Sequence, residues 1–113
     1  MLASKNRLTK RRDFVKVYST GAYAAIGGIA IKYLETKSPE TRIGFSIGKT
    51  FSKKATERNL ARRILRESVR EQLSFLKTGF DIIIIAQGKE RELIFDQTSK
   101  TVRQIFAKTN LLR

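Results

Sequence analysis

The chain has no cysteine and no histidine. Without cysteine there are no disulfides, no disulfide-linked partner and no thiolate metal site, which fits a reducing cytoplasm. Without histidine the commonest general base and the commonest transition-metal ligand are gone. Acids are scarce as well: ten Asp and Glu stand against 24 Lys and Arg, for a formal net charge of +14 and a pI near 10.7. Those ten are scattered, with no Asp-x-Asp pair, and Glu90-Arg91-Glu92 reads as a solvated loop carrying its own cation. A metal-dependent protein nuclease needs grouped carboxylates or an acid/base pair, so neither a catalytic residue nor a metal ligand is expected. No apolar run approaches the about 20 residues that a membrane-spanning helix requires. The first residues, MLASKNRLTKRRDF, are basic but no apolar segment follows them, unlike a secretory signal. The glycines of Gly44-Phe-Ser-Ile-Gly48-Lys49 lack the spacing of a nucleotide-binding phosphate loop.

What is present suffices for a core. At 113 residues and 41% hydrophobic content, residues 1–113 are expected to form one domain, with residues 1–8 as a basic, flexible arm. Thr9 is a candidate cap for a first helix, Asp13 suits its opening turns, and Gly21 is a plausible stop. Phe14, Val17 and Tyr18 form an apolar stripe on that helix. Residues 23–34 favour strands interrupted by Gly27-Gly28, with Ile29, Ile31 and Tyr33 alternating with Ala30, Lys32 and Leu34. A loop around Pro39, the only proline, leads into a third strand, residues 42–47, where Ile43, Phe45 and Ile47 share a side. A basic helix is expected from Ala55 or Thr56 to about Phe75. Residues 81–86 (DIIIIA) read as a central strand covered on both faces, and residues 87–92 as a loop. A last helix should turn Phe95, Val102, Ile105 and Phe106 inward. The order α-β-β-β-α-β-α gives an α+β class: a single four-stranded sheet with three helices.

Charge concentrates in residues 49–70, KTFSKKATERNLARRILRESVR, where eight basic residues meet only Glu57 and Glu67. On a helix of about 3.6 residues per turn, Asn59, Arg63, Arg66 and Arg70 fall within roughly 60° of one another. Ala61, Ile64, Leu65 and Ser68 gather on the opposite side, so one face can dock on a core while the other offers an Asn and a column of guanidinium groups. A merely solvated helix alternates charges so that they pair internally, and this one does not. A nucleic-acid partner is the simplest relief for such a surplus, because each guanidinium binds phosphate bidentately. The helix has no Trp, and no Phe before Phe75, on its apolar side, which argues against a membrane surface. A second candidate is a sheet face with aromatics beside cations, formed by Phe14, Tyr18, Ile29, Ile31 and Lys32, suited to a single strand.

The chain resembles the bacterial ribonuclease P protein family. The resemblance lies in Arg42-Ile-Gly44-Phe-Ser46-Ile-x-Lys49, in Lys53-Lys54-Ala55, and in Arg58-Asn59-x-x-Arg62-Arg63-x-x-Arg66-Glu67-x-x-Arg70. An opening segment, Arg7-Leu-x-x-x-x-Asp13-Phe14-x-x-Val17-Tyr18-x-x-Gly21, also fits, so the match covers nearly the whole chain. The resemblance implies a ribosomal-protein-like fold with a left-handed βαβ crossover. It implies the small partner of a large catalytic RNA that removes the 5′ leader of precursor tRNA, with Mg²⁺ held mainly by RNA carrying the chemistry. It implies RNA contacts at Lys49, Lys53, Lys54, Arg58, Asn59, Arg62, Arg63, Arg66 and Arg70, and a leader cleft lined by Phe14, Tyr18, Ile29, Ile31 and Lys32. Where many relatives carry an aromatic facing that cleft and a Tyr three residues on, this chain has Ile29 and Lys32, which shifts the contact from stacking toward charge. Two competing readings are a ribosomal or other structural RNA-binding protein and a stand-alone metal-dependent nuclease.

Overall fold

The four consecutive isoleucines of residues 82–85 lie in the middle of the sheet, and their alternation decides which element covers which face. The computed structural model describes residues 2–48, 51–86 and 95–113, the last segment without the side chains of Phe95 and Asp96. Its elements are α1 (Arg11–Thr20), β1 (Ala22–Ile26), β2 (Ile29–Glu35), β3 (Arg42–Ile47), α2 (Ala55–Gln72), β4 (Phe80–Ala86) and α3 (Phe95–Lys108), with short 3₁₀ turns at Ser4–Asn6 and Leu73–Phe75. This is the expected α-β-β-β-α-β-α order. The expected loop at residues 87–92, Lys49 and the inward placement of Phe95 fall outside the described residues.

The strand order is β1-β2-β4-β3. β1 and β2 form an antiparallel hairpin closed by the two residues Gly27-Gly28, and Gly27 supplies the positive φ of 62° that such a turn demands. β2 also runs antiparallel to β4, whereas β3 is parallel to β4 and reaches it through α2. Period two then sorts the side chains. Ile82, Ile84 and Ala86 share a face with Ile29, Ile31 and Tyr33 of β2 and with Ile43, Phe45 and Ile47 of β3. That face packs under α2 and α3, with Leu65 and Val69 meeting Val102, Ile105 and Phe106 in one buried cluster. The opposite face carries Ile83 and Ile85, which pack with Leu8, Phe14, Val17 and Leu34 beneath α1.

Two details of the N-terminal segment differ from the sequence expectation. The composition of residues 1–8 predicts a flexible arm, but Leu2 and Leu8 are buried, and the chain between them turns so that both reach the core. The Leu8 N–H donates to the Ile43 carbonyl at 3.0 Å, and the Asn6 amide donates to the Thr41 carbonyl at 2.9 Å, so the segment lines the edge of β3. Two leucines six residues apart in a polar stretch give no periodic signal, which is why the sequence hides the anchor. The cap of α1 is also displaced: Lys10 occupies the N-cap position without a side-chain bond, and Thr9 stands one residue too early. Gly21 ends α1 as expected, its N–H bonding the Val17 carbonyl at 2.8 Å.

A side-chain cluster ties α1 to both parallel strands. The Arg42 guanidinium donates to both oxygens of Asp81, at 3.0 and 2.8 Å, and reaches Asp13 of α1 at 3.4 Å. The hydrogen bonds that Arg42 donates to Asp81 raise the Arg42 pKa above its ordinary value, against a smaller lowering by burial. Beside this cluster Gly44 lies under the Phe14 ring, and a Cβ built on Gly44 runs into Phe14 Cζ and lies 3.1 Å from the Leu8 carbonyl oxygen. Replacing Arg42 by Met strands the Asp81 carboxylate, whose side chain is only 6% exposed. The expected loss is about 1–3 kcal/mol, read as a lower urea midpoint at unchanged slope; an unmoved midpoint would mean that the pair contributes nothing net. Gly44→Ala is expected to lose about 1–3 kcal/mol by pushing the Phe14 ring off the sheet, visible as a lower melting temperature.

Candidate nucleic-acid interface

The basic helix starts on a clamp built from side chains rather than on a cap residue. Lys54 sits at the N-cap of α2 without a side-chain bond. The Ser52 hydroxyl instead accepts from the Lys54 N–H at 3.1 Å and donates to Glu57 Oε1 at 2.7 Å. Arg58 Nη1 donates to the Ser52 carbonyl at 2.9 Å, which fixes the first arginine of the series against the turn that precedes it. Ser52 is itself buried, so the helix start is anchored to the core and its direction is set.

The buried side of α2 is Ala61, Leu65, Ser68, Val69 and Gln72. Expected apolar positions Ala61, Leu65 and Ser68 are thus fully inside, and Ile64 is half-buried. The cations divide into two rows. Arg58, Arg62 and Arg66, four residues apart, are half-buried, and Arg62 and Arg66 border a hollow of about 390 Å³ that also touches Leu8, Phe14, Gly44 and Phe45. Asn59, Arg63 and Arg70 stand farther out, exposed, with Lys53 and Lys54 ahead of them. Arg62 Nη1 donates to Asn59 Oδ1 at 2.9 Å, so Asn59 orients an arginine as well as offering its own amide to solvent. Arg70 pairs with Glu67 at 3.3 Å, an exposed contact of little energetic weight. Residues 49–70 carry eight basic side chains against only two acids, Glu57 and Glu67, so at least six of those positive charges have no acid of that segment to offset them.

On the α1 side of the sheet the structure gathers Phe14, Tyr18 and Lys32. Lys32 Nζ donates to the Tyr18 carbonyl at 2.9 Å, and Tyr18 is 39% exposed. Ile29 and Ile31 do not join them. Both are buried in the cluster beneath α2 and α3, because they are an odd number of residues from Lys32 and a strand sends odd neighbours to opposite faces. Their expected place in the cleft is therefore corrected. The sequence reading missed Tyr23 of β1, which lies directly opposite Lys32 and is 54% exposed. Counting back from Lys32 across the two-residue Gly27-Gly28 turn would have found it. Arg7, which also borders the hollow beside Arg62 and Arg66, was missed as well.

Among the described residues no three His, Cys, Asp or Glu side chains come together to hold a metal ion. Also among them, no helix is long and apolar enough to cross a membrane.

Comparison with known proteins bears on the family and the fold. The family model described as Ribonuclease P matches residues 2–110. A protein of a Thermoanaerobacter species named "Ribonuclease P protein component" is 37% identical over 105 residues, covering 93% of this chain and 90% of its own. The Bacillus velezensis protein of the same name is 34% identical over 113 residues, covering 99% of this chain and 96% of its own. The structure of the Staphylococcus aureus RNase P protein superimposes with a TM-score of 0.85 over 96% of this chain and 98% of its own, and at 23% identity this likeness concerns the fold. The Thermotoga maritima RNase P protein gives 0.77 at 24% identity, over 90% and 96% of the two chains. With sequence relatives spanning almost its full length and the same three helices on a four-stranded mixed sheet, the chain belongs to the ribonuclease P protein family.

Proposed function

We propose that this chain serves ribonuclease P as an RNA-holding subunit that contributes no catalytic group of its own. The holoenzyme is an endoribonuclease of tRNA processing. In this reading the partner is the catalytic RNA, and the substrate is precursor tRNA, whose 5′ leader is removed in the cytoplasm. Lys53, Lys54, Arg58, Asn59, Arg62, Arg63, Arg66 and Arg70 hold the RNA subunit, joined by Lys49 on the sequence resemblance alone. Phe14, Tyr18, Tyr23 and Lys32 offer the leader two kinds of contact, stacking on aromatic rings and attraction to an ammonium group. The observation that carries the reading is the continuity of these surfaces: Arg62 and Arg66 of α2 border the same hollow as Phe14 of α1.

Mg²⁺ supplies the reaction's Lewis-acid chemistry when bound, and the described side chains do not fit it: they form no cage of three carboxylate or imidazole groups. Two of the acids nearest the α1 face, Asp13 and Asp81, are committed to Arg42. The ion is accordingly assigned to RNA phosphates, and the chain's part is to bind and orient.

This division of labour has measurable consequences. Changing Arg62, Arg63 or Arg66 to Gln should weaken association with the RNA subunit and lower the slope of log K against log salt by about 0.7–0.9 for each phosphate no longer neutralised. Saturating concentrations of the same variants should restore the rate of precursor tRNA cleavage. A rate that stays low at saturation would show that these side chains take part in the chemical step. If six to ten phosphates are contacted, affinity of the unaltered protein should fall about 10³–10⁵-fold between 50 and 200 mM salt. RNA-free protein incubated with precursor tRNA and Mg²⁺ should leave the substrate intact, and cleavage there would sink the proposal.

A further inference from the structure

We propose that the hollow at the open edge of β3 is a nucleotide site that takes one unpaired nucleotide of the RNA partner, an inference that rests on the RNA-holding role above. Three kinds of group meet there. The first is backbone. The Ile43 carbonyl accepts from the Leu8 N–H at 3.0 Å, so the Ile43 peptide groups point away from β4 toward the N-terminal segment. Two residues on, the strand period turns the Phe45 N–H and C=O to the same side. β3 is the last strand of the sheet, and the N-terminal segment bridges it only at Ile43 among the described residues. A donor and an acceptor thus stand side by side on an open edge, the complement of the paired donor and acceptor on a base's Watson–Crick edge.

The second kind of group is apolar: Leu8, Ile43 and the Phe14 ring give the hollow walls that would cover the face of a base. The third is cationic. Arg62 and Arg66 stand at its rim, Asn59 holding the Arg62 fork at 2.9 Å, and no carboxylate lines it among the described residues. A bare phosphate would need neither the apolar walls nor the backbone pair, and an apolar ligand would need no arginines. Its volume of about 390 Å³ lies in the range of sites that enclose small ligands. A nucleotide, with a flat base and one phosphate, uses all three kinds of group. Recognition of unpaired RNA ordinarily proceeds this way, with the base splayed out and bound on its edge and face.

The site is tested with the full-length protein by following ¹⁵N–¹H NMR signals during titration with AMP, UMP and inorganic phosphate. Both nucleotides are expected to move the Phe45 amide together with the Arg62 and Arg66 Nε signals and to saturate, whereas phosphate should move the arginine signals alone. Arg62→Gln should weaken nucleotide binding about tenfold. Thr9→Trp, which fills the hollow from the N-terminal segment at unchanged charge, should abolish the Phe45 shift. Adding the ribonuclease P RNA should displace AMP from the wild-type protein. The proposal is overturned if phosphate reproduces every nucleotide shift, if the Phe45 shift survives Thr9→Trp, or if the RNA leaves AMP in place. The wild-type titration decides even if the Trp variant does not fold. Because it uses no RNA subunit, failure of reconstituted precursor tRNA cleavage would fault the functional reading separately.

Discussion

Strand β4 carries isoleucine at four successive positions, and a pleated strand sends them alternately to its two sides. Neither side can be left to water, since each fully buried isoleucine is worth about 1.5–3 kcal/mol relative to exposure. One side is met by α2 and α3 and the other by α1, and from that the rest of the architecture follows. α2 must lie along the sheet beside β3 to bury Ala61, Leu65 and Val69, which obliges its remaining surface to face solvent. α1 must seat Phe14 close to the sheet, and Gly44 is where the sheet lets a ring approach. The cationic helix and the aromatic helix therefore meet at the β3 edge as a result of covering one strand twice.

Scarcity of acid then sorts the arginines by role. Arg42 takes Asp81 and Asp13 and becomes part of the scaffold, fixing α1 against β3 and β4. Arg58 is satisfied by a backbone carbonyl and Arg62 by a neutral amide, neither of which removes its charge. A carboxylate in either place would have formed an internal pair and cancelled the field that a polyanion feels. With ten acids to 24 bases, more than half of the basic side chains have no acid of their own to find within the chain. The result is a surface whose counter-charge must come from outside.

The elements and their order were legible because their signals are strong: a continuous β-branched run for β4, a glycine pair for the hairpin, and a long amphipathic pattern for α2. The cationic face of α2 was legible for the same reason, since a helical period of about 3.6 residues converts spacing directly into position. The α1 side of the sheet was less so. Alternation already sets Ile29 and Ile31 opposite Lys32, so placing all three in one cleft went against the strand period, but alternation does not tell which of the two sets faces α1. That choice is made by the pairing of β2 with β4, a contact between residues far apart in the chain. Tyr23 enters the site through a similar cross-strand pairing. Leu2 and Leu8 are buried through contacts with β3 and its neighbours that no local pattern announces.

The N-terminal segment shows how one edge serves two purposes. An unpaired sheet edge is a hazard, because its free N–H and C=O groups invite pairing with another chain. Here the Leu8 N–H closes the edge at Ile43, and then the chain turns away into α1. Had the segment run on beside Phe45 and Ile47, it would have protected the edge fully and filled the space between α1 and α2. Among the described residues it bridges β3 only at Ile43, and Phe45 beyond that bridge lines the hollow together with Phe14, Arg62 and Arg66. The positive charge of Arg62 and Arg66 discourages a second copy of this basic chain from pairing there, since its own net charge is +14. The same charge favours an RNA strand, so the groups that would otherwise invite aggregation are reserved for a partner of opposite sign.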